Sequence, residues 1–370
     1  MNTANYLSKK YLYWIDYSKG ILILIIVFYH FFQNYRDGSG LVNFLYQIGN
    51  SLAFTAVNIF FVIAGFNTTL SLLKQVNQNS QGFNQINWFN WLKKRLVRLY
   101  PTYWLVILVT MILYLATGHQ IKINSLGDFI LIAIGWPGYA RYKTLNPGFW
   151  FFSAILQGYL ITPLIFFICN NRPIRILNLG LGLGILTKII CLISLSNNFI
   201  DTASLIQNNW ILSYIFPFCL GFYWGFIYYK NDQLRRKDWL ISLVAFAIGL
   251  VIYAILLISK IDVRYMLGFD LLFTPLIMLL CYWVSQKIIE KITYLKELIA
   301  LLGRNSYQIY LLHQPLLFIL LPSLIKYIKL PLYPRLAISL IITACFLTLY
   351  IFLFNKIELS LKKILKFKST

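Results

Sequence analysis

Acidic residues are scarce in this sequence, and charged residues of any kind are few. Only 11 of its 370 residues are Asp or Glu, and charged side chains make up 12% of the chain against 59% hydrophobic ones. A soluble domain usually carries about 25% charged residues. A water-facing surface of ordinary size cannot be built from this supply, so lipid must cover much of the chain.

The patterns that mark disulfide frameworks, metal centres and cleaved signal peptides are also missing. The five cysteines lie in or at the ends of apolar stretches and form no CxxC pair. We therefore expect neither a disulfide framework nor a metal site. The first apolar stretch, 21–32, runs into Gln33 without a small-residue cleavage pattern, so we expect it to be kept as the first helix.

Long apolar stretches are plentiful, and a membrane-spanning helix takes roughly 20 such residues. The sequence predicts an all-α integral membrane protein with about ten transmembrane helices in one bundle. The stretch 126–137 is too short to span comfortably, and we interpret it as an interfacial or re-entrant piece. The predicted spans are 18–35, 48–73, 93–117, 148–170, 174–196, 208–229, 238–259, 264–287, 301–328 and 333–357.

The net charge of +22 comes mainly from short basic runs between these apolar stretches. With the N-terminus inside, the inside loops hold more than twice as many Lys and Arg as the outside loops. By the positive-inside rule we expect both termini in the cytoplasm of a multi-pass protein of the cell (plasma or inner) membrane. Basic loops beside anionic lipid need no nucleic-acid partner. We expect one membrane domain over 1–370, with no appended soluble domain.

The first predicted helix carries two ionisable side chains on one face. Lys19 and His30 are eleven positions apart, which is about three turns and about 16 Å along the helix axis. Asp16 lies three positions before Lys19, close enough for an ion pair. Ionisable groups inside lipid are costly and are therefore candidates for function. A structural hydrogen bond to a neighbouring helix also explains a single buried histidine.

The third predicted helix opens with a cluster of cations. Arg95 and Arg98 are an i,i+3 pair against the apolar run, and guanidinium groups bind phosphate through paired hydrogen bonds. A bound pyrophosphate and anchoring to lipid both explain this pair. In the fourth predicted helix, Trp150 fits an interfacial belt residue, whereas Gln157 is polar within an apolar run and needs a partner.

The ninth predicted helix has a polar face. Ser306, Tyr310 and His313 follow i, i+4, i+7 spacing, so they must face the protein interior or water. A structural hydrogen-bond network explains this face as well as substrate binding does. Pro315 is expected to kink the helix and to free backbone carbonyls. In the second predicted helix, Gly65 follows an alanine between aromatic residues. This small pair permits close helix packing or access of a ligand, and packing is the commoner use.

These segments, in this order, resemble the membrane acyltransferase-3 family over most of the chain. Residues 60–66 and residues 303–315 each resemble one of the family's motifs. The family's other two motifs, a basic residue spaced before a histidine and a double arginine ahead of Tyr-Pro, are matched by Lys19, His30, Arg95, Arg98, Tyr100, Pro101 and Trp104. Two positions depart from the family: Gln157 stands where many relatives have glutamate, and Lys19 where arginine is commoner.

The resemblance implies an O-acyltransferase that moves an acyl group, commonly acetyl, from cytoplasmic acyl-CoA to a hydroxyl of a carbohydrate or surface glycan. We expect His30 to act as general base or to carry the acyl group transiently. Asp16 would assist by orienting Lys19. The phosphates of acyl-CoA would be held by Lys19, Arg95 and Arg98, and the acceptor by Trp150, Gln157, Ser306, Tyr310 and His313.

Two other classes of protein remain open. A secondary transporter or exporter of a small polar or glycan-related solute also has polar residues at mid-membrane and broken helices. The sequence lacks the matching pair of interrupted helices in two halves that would favour it. A membrane scaffold would use the same side chains only for packing.

Overall fold

A computed structural model of the chain describes residues 11–35, 38–78, 83–121, 123, 125–136, 138, 142–197, 210–259 and 269–364. These residues form 13 α-helices and no β-strand. The helices are α1 (Tyr13–Asn34), α2 (Gly40–Gln78), α3 (Trp88–Ala116), α4 (Leu126–Ile134), α5 (Phe149–Ile168), α6 (Pro173–Ser196), α7 (Ile215–Asn231), α8 (Arg236–Ile258), α9 (Phe269–Leu272), α10 (Thr274–Lys287), α11 (Thr293–Arg304), α12 (Ser306–Tyr327) and α13 (Leu332–Ile364).

Within the described ranges, 9 segments are long and apolar enough to cross a membrane: α1, α2, α3, α5, α6, α7 with the turn before it, α8, α12 and α13. The chain is therefore an all-α, multi-pass membrane protein, as the sequence predicts. The predicted span 264–287 differs, because α9 ends at Leu272 and α10 begins at Thr274. Pro275 has no backbone N–H for a helix continuing from upstream, which accounts for the break. Residues 264–268 lie outside the described residues.

The predicted interfacial piece at 126–137 is the nine-residue helix α4, whose rise of about 13 Å is too short to span a membrane. Ser125 caps its start by accepting a hydrogen bond from the N–H of Asp128 (3.1 Å). Gly135 ends it in the left-handed conformation (φ 75°), where glycine carries no steric cost. Pro137, at the end of the predicted piece, is outside the described residues.

The chain divides into two compact units, and both draw on separate stretches of sequence. Unit 1 comprises Met1–Leu22, Phe54–Lys93 and Ser153–Gly303. Unit 2 comprises Ile23–Ala53, Lys94–Phe152 and Arg304–Thr370. A buried cluster in unit 1 contains Tyr17, Ile289, Ile299 and Ala300. A larger one in unit 2 contains Phe31, Phe32, Tyr35, Val42, Leu317, Leu321 and Leu336.

Within unit 1, α2 and α7 cross with their backbones in contact. A Cβ atom added at Gly65 would overlap the carbonyl oxygen of Phe218, and one added at Gly221 would overlap that of Val62. Only glycine allows the two helices to approach this closely at these two positions. The close packing predicted around Gly65 is therefore confirmed.

Candidate functional site

The start of α1, in unit 1, carries the predicted ion pair. Lys19 Nζ lies 2.6 Å from Asp16 Oδ1, and the hydroxyl of Tyr11 donates a hydrogen bond to the same carboxylate. Asp16 is buried, whereas Lys19 is partly exposed. A Cβ atom at Gly303 would overlap the carbonyl oxygen of Asp16, so α11 packs directly against this turn of α1. Asp16 thus fixes the position of the Lys19 ammonium.

His30 lies in α1 within unit 2, and both of its ring nitrogens are hydrogen-bonded. Nδ1 is 2.7 Å from the amide oxygen of Gln33, one turn further along the helix. An amide oxygen can only accept, so Nδ1 carries the imidazole proton and Nε2 keeps a lone pair. The amide nitrogen of Gln314, on α12, donates to that lone pair (2.8 Å). The structure therefore holds His30 in the tautomer that leaves Nε2 as a base.

His313, on α12, lies beside His30 and is oriented in the same way. The centroids of the two imidazole rings are 5.0 Å apart. His313 Nδ1 is 3.0 Å from the carbonyl oxygen of Ile309, so Nδ1 donates and Nε2 again keeps its lone pair. His313 is fully buried, whereas His30 is partly exposed. Two neutral imidazoles with basic Nε2 atoms thus lie side by side.

Asn146, before α5, supplies a hydrogen bond that the backbone of α12 lacks next to His30 and His313. Pro315 has no N–H to bond the carbonyl of Leu311, four residues earlier. The side-chain amide of Asn146 donates to that carbonyl oxygen instead (2.7 Å), and its own oxygen accepts from the N–H of Gly148 (2.9 Å). The freed carbonyl expected from Pro315 is thereby confirmed, and α12 continues through the proline to Tyr327.

The predicted polar face of α12 is buried in unit 2. Ser306, Tyr310 and His313 are each at most 6% exposed, as their spacing predicts. The ring centroid of Tyr310 is 5.7 Å from that of His313 and 4.7 Å from that of Phe151 on α5. Trp150, next to Phe151, is partly exposed. Unit 2 therefore brings His30, His313 and Tyr310 together near the start of α5.

Hydrogen bonds also fix the first turn of α12, which precedes Tyr310 and His313. The amide of Gln308 donates to the buried carboxylate of Glu358 on α13 (3.4 Å), and Thr102 on α3 donates to the same carboxylate. The hydroxyl of Tyr307 donates to the carbonyl oxygen of Leu99 (3.3 Å). Contacts to α3 and α13 therefore hold the helix that carries His313.

The cationic start of α3 lies on the surface of the structure. Lys93, Lys94 and Arg98 are exposed, and Arg95 is partly exposed. Both arginines belong to unit 2. Guanidinium groups in such a position remain accessible to a polyanion such as the phosphates of a nucleotide.

The aromatic residues that follow the two arginines anchor α4. The last turn of a helix leaves carbonyl oxygens without internal partners. The hydroxyls of Tyr100 and Tyr103 donate to the carbonyl oxygens of Ile134 and Ile132 (2.8 and 2.7 Å). The indole of Trp104 donates to Ala133 (2.9 Å). The Tyr-Pro segment thus holds the short helix in place by satisfying its C-terminal carbonyls.

Gln157, on α5 in unit 1, has the partners that a polar residue in an apolar run requires. Its amide nitrogen donates to the hydroxyl of Ser153 (3.3 Å). Its oxygen accepts from the backbone N–H of Ile211 (3.2 Å), at the turn before α7. The observed contacts of Gln157 therefore tie α5 to this turn.

Unit 1 also contains a buried ion pair. Asp270, at 1% exposure on α9, lies 3.1 Å from the ammonium of Lys188 on α6. A lysine inside an apolar run is a recognisable signal, because an unpaired charge there is too costly. The sequence gives no indication of its partner, since the two residues are far apart along the chain. Breaking such a pair leaves a buried charge, so each residue depends on the other.

Three residues of the site escaped the sequence-based prediction. Gln33 is detectable in principle, because it lies one helical turn from His30. Gln314 and Asn146 stand next to prolines and carry no periodic signal. No group of three or more His, Cys, Asp or Glu side chains in the described part of the chain is arranged to hold a metal ion.

Comparison with known proteins places the chain in a family context. A family model described as "Acyltransferase domain", that of the acyltransferase-3 family, matches residues 12–354. The match covers α1 to α12 and most of α13. Neither the curated proteins nor the solved structures contain a significant match to the chain.

Proposed function

Because the chain belongs to the acyltransferase-3 family, and is thus a membrane acyltransferase, we propose that it transfers an acyl group, commonly acetyl, from cytoplasmic acyl-CoA to a hydroxyl of a carbohydrate or surface glycan. Its place would be the cell (plasma or inner) membrane, with both termini in the cytoplasm. The observation that carries the proposal is the Nε2 lone pair of His30, which Gln33 fixes in orientation from the opposite side of the ring.

His30 is the general base of the proposed reaction. The acceptor hydroxyl gives its proton to Nε2 of His30 while its oxygen attacks the carbonyl carbon of the thioester. The tetrahedral intermediate then collapses and the carbon–sulfur bond breaks. The proton on Nε2 passes to the leaving sulfur, which yields an ester and free coenzyme A thiol. Gln33 keeps the proton on Nδ1 throughout, so that Nε2 alone exchanges protons.

We assign the binding of the acyl donor's phosphates to the cationic residues that the sequence analysis identified. Arg95 and Arg98 offer accessible guanidinium groups at the start of α3. Lys19 has the same proposed role in α1, where Asp16 holds its ammonium and so acts as an orienting residue. A lysine supplies charge there without the paired hydrogen bonds of an arginine.

The acceptor is assigned to the polar residues near His30. Tyr310 and His313 contact one another, and Ser306 lies on the same face of α12. Trp150 offers a partly exposed indole at the start of α5, on which a sugar ring can stack. Gln157 stays a proposed acceptor-binding residue, and its amide also bonds to Ser153 and Ile211.

The proposed function is tested by the ester-linked acetyl content of cell-surface glycans. Mass spectrometry would compare cells that express the protein with cells from which its gene is deleted. We expect acetyl esters to be lost on deletion and restored by the wild-type gene. Equal acetyl content in both strains would contradict the glycan-acetylation proposal.

Arg98→Ala is expected to weaken the binding of coenzyme A to the purified protein by about tenfold to a hundredfold, because one charge-assisted contact with phosphate is lost. Isothermal titration calorimetry would measure the affinity. Arg236→Ala is the matched control, since Arg236 is also exposed, at the start of α8, and its loss removes the same charge. Equal affinities of Arg98→Ala and wild type would rule out the phosphate-binding role of Arg98.

A further inference from the structure

Two acceptor atoms beside His30 are buried and lack a donor. Neither Oε1 of Gln314 nor Nε2 of His313 has a hydrogen-bond partner among the described residues. Gln314 is 3% exposed and His313 is 0% exposed. Buried polar atoms are nearly always paired, because leaving one unpaired costs free energy. Both atoms lack the same thing, a hydrogen-bond donor, which a ligand with O–H or N–H groups would supply.

The two ends of the Gln314 amide are therefore unlike. Its nitrogen donates to the lone pair of His30, and its oxygen is unpaired. Asn146 shows what a structural amide looks like in the same unit, because both of its ends are bonded to backbone groups. A Cβ atom at Gly148 would lie 3.3 Å from Oε1 of Gln314 and 3.1 Å from Oδ1 of Asn146, so Gly148 packs closely against both amides and carries no group that could donate to Oε1.

We propose that Gln314 is a placeholder for the acceptor: its amide N–H occupies the position at Nε2 of His30 that the acceptor hydroxyl takes during the reaction. This proposal rests on the function proposed above. In the resting protein the amide N–H of Gln314 covers Nε2 of His30. When the acceptor binds, its reacting O–H takes that position and the amide nitrogen withdraws. A second donor of the same molecule, on a neighbouring carbon, then bonds to Oε1 of Gln314.

This assignment predicts a preference for acceptors with two adjacent hydroxyl groups. Wild-type protein would transfer the acyl group to a methyl hexopyranoside at least about tenfold better, in kcat/KM, than to the analogue that lacks the neighbouring hydroxyl. In Gln314→Leu this ratio would fall towards one, because the oxygen that binds the second hydroxyl is gone. An unchanged ratio would overturn the second-hydroxyl contact of Gln314.

The hydrogen bond from Gln314 to Nε2 of His30 can be tested without measuring acyl transfer. The measurement is the rate at which diethyl pyrocarbonate modifies the imidazole of His30. Peptide mass spectrometry would follow the modification of His30 in purified protein. Gln314→Leu is expected to speed it about fivefold, since one hydrogen bond to the reacting lone pair is lost. Gln47→Leu, the same substitution at an exposed residue of α2 in the same unit, is expected to react like wild type.

Gln314→Asn is a second variant for the same experiment, in case Gln314→Leu does not fold. Its shorter side chain keeps the amide group but moves it away from His30. It too is expected to speed the modification. A wild-type rate in a folded Gln314 variant would overturn the placeholder role, even in a protein that transfers acyl groups. A faster rate in a protein that acylates no acceptor would instead support the covering of His30 and contradict the proposed function.

Discussion

Replacing His30 with alanine is expected to lower the rate of acyl transfer by about two to four orders of magnitude, the usual contribution of a general base. Of the two neighbouring histidines, His30 is partly exposed and His313 is fully buried. The variant therefore loses the Nε2 lone pair of the histidine that a substrate can reach. Transfer of radiolabelled acetyl from acetyl-CoA by purified protein would measure the loss, at matched amounts of folded protein.

His119→Ala is the matched control for this substitution. His119 is exposed and lies beyond the end of α3, and its Nδ1 is 3.1 Å from the hydroxyl of the nearby Thr117. We expect its loss to leave the transfer rate unchanged. A transfer rate in His30→Ala within a few-fold of wild type, with the protein folded, would rule out His30 as the base.

The contacts of His30 also bear on its proposed role as a general base. Its Nδ1 bonds to a neutral amide, whereas the histidine of a serine hydrolase bonds to a carboxylate. Gln33 therefore fixes the tautomer without supplying a negative charge to stabilise an imidazolium. A base of this kind suits a reaction in which the proton is held briefly and passed to the leaving thiolate. It also suits a site that must stay neutral within the membrane.

Features of the sequence that act over one or two helical turns predicted the structure well. The apolar runs predicted the helices, because each span needs an unbroken apolar stretch of fixed length. The spacing of Asp16 and Lys19 predicted their ion pair, and the spacing of Ser306, Tyr310 and His313 predicted their common buried face. In each case the helix geometry alone sets which side chains meet.

Contacts between distant segments were not predictable in this way. Gln314 meets His30, and Lys188 meets Asp270, through the packing of separate helices. The unpaired carbonyl created by Pro315 followed from its chemistry, but its partner, Asn146, did not. A local pattern states that a polar group needs a partner, and only the tertiary structure decides which residue supplies it. The roles of the ten candidate site residues and the sidedness of the termini stay predictions.

Gly65→Ala is expected to destabilise the protein by about 3 kcal/mol, the upper end of the usual cost of overpacking, because it inserts a methyl group where α2 and α7 are in backbone contact. The added carbon would overlap the carbonyl oxygen of Phe218, and a backbone atom cannot rotate away as a flexible side chain would. The two helices must therefore separate, which also removes the fit between Gly221 and the carbonyl of Val62. Thermal unfolding of the purified protein in detergent would show the lowered midpoint.

Gly182→Ala separates this effect from the intrinsic preference of helices for alanine. Gly182 lies within α6, and no atom of the described part of the chain lies within 4 Å of an added Cβ, so its replacement is expected to raise stability by about 0.5–1 kcal/mol. Since Gly65 and Gly221 serve one crossing, the loss in Gly65→Ala/Gly221→Ala should fall short of the sum of the two single losses. If Gly65→Ala unfolded at the same temperature as Gly182→Ala, α2 and α7 would not be held by backbone contact. The crossing would then tolerate side chains, and glycine at 65 would need another explanation.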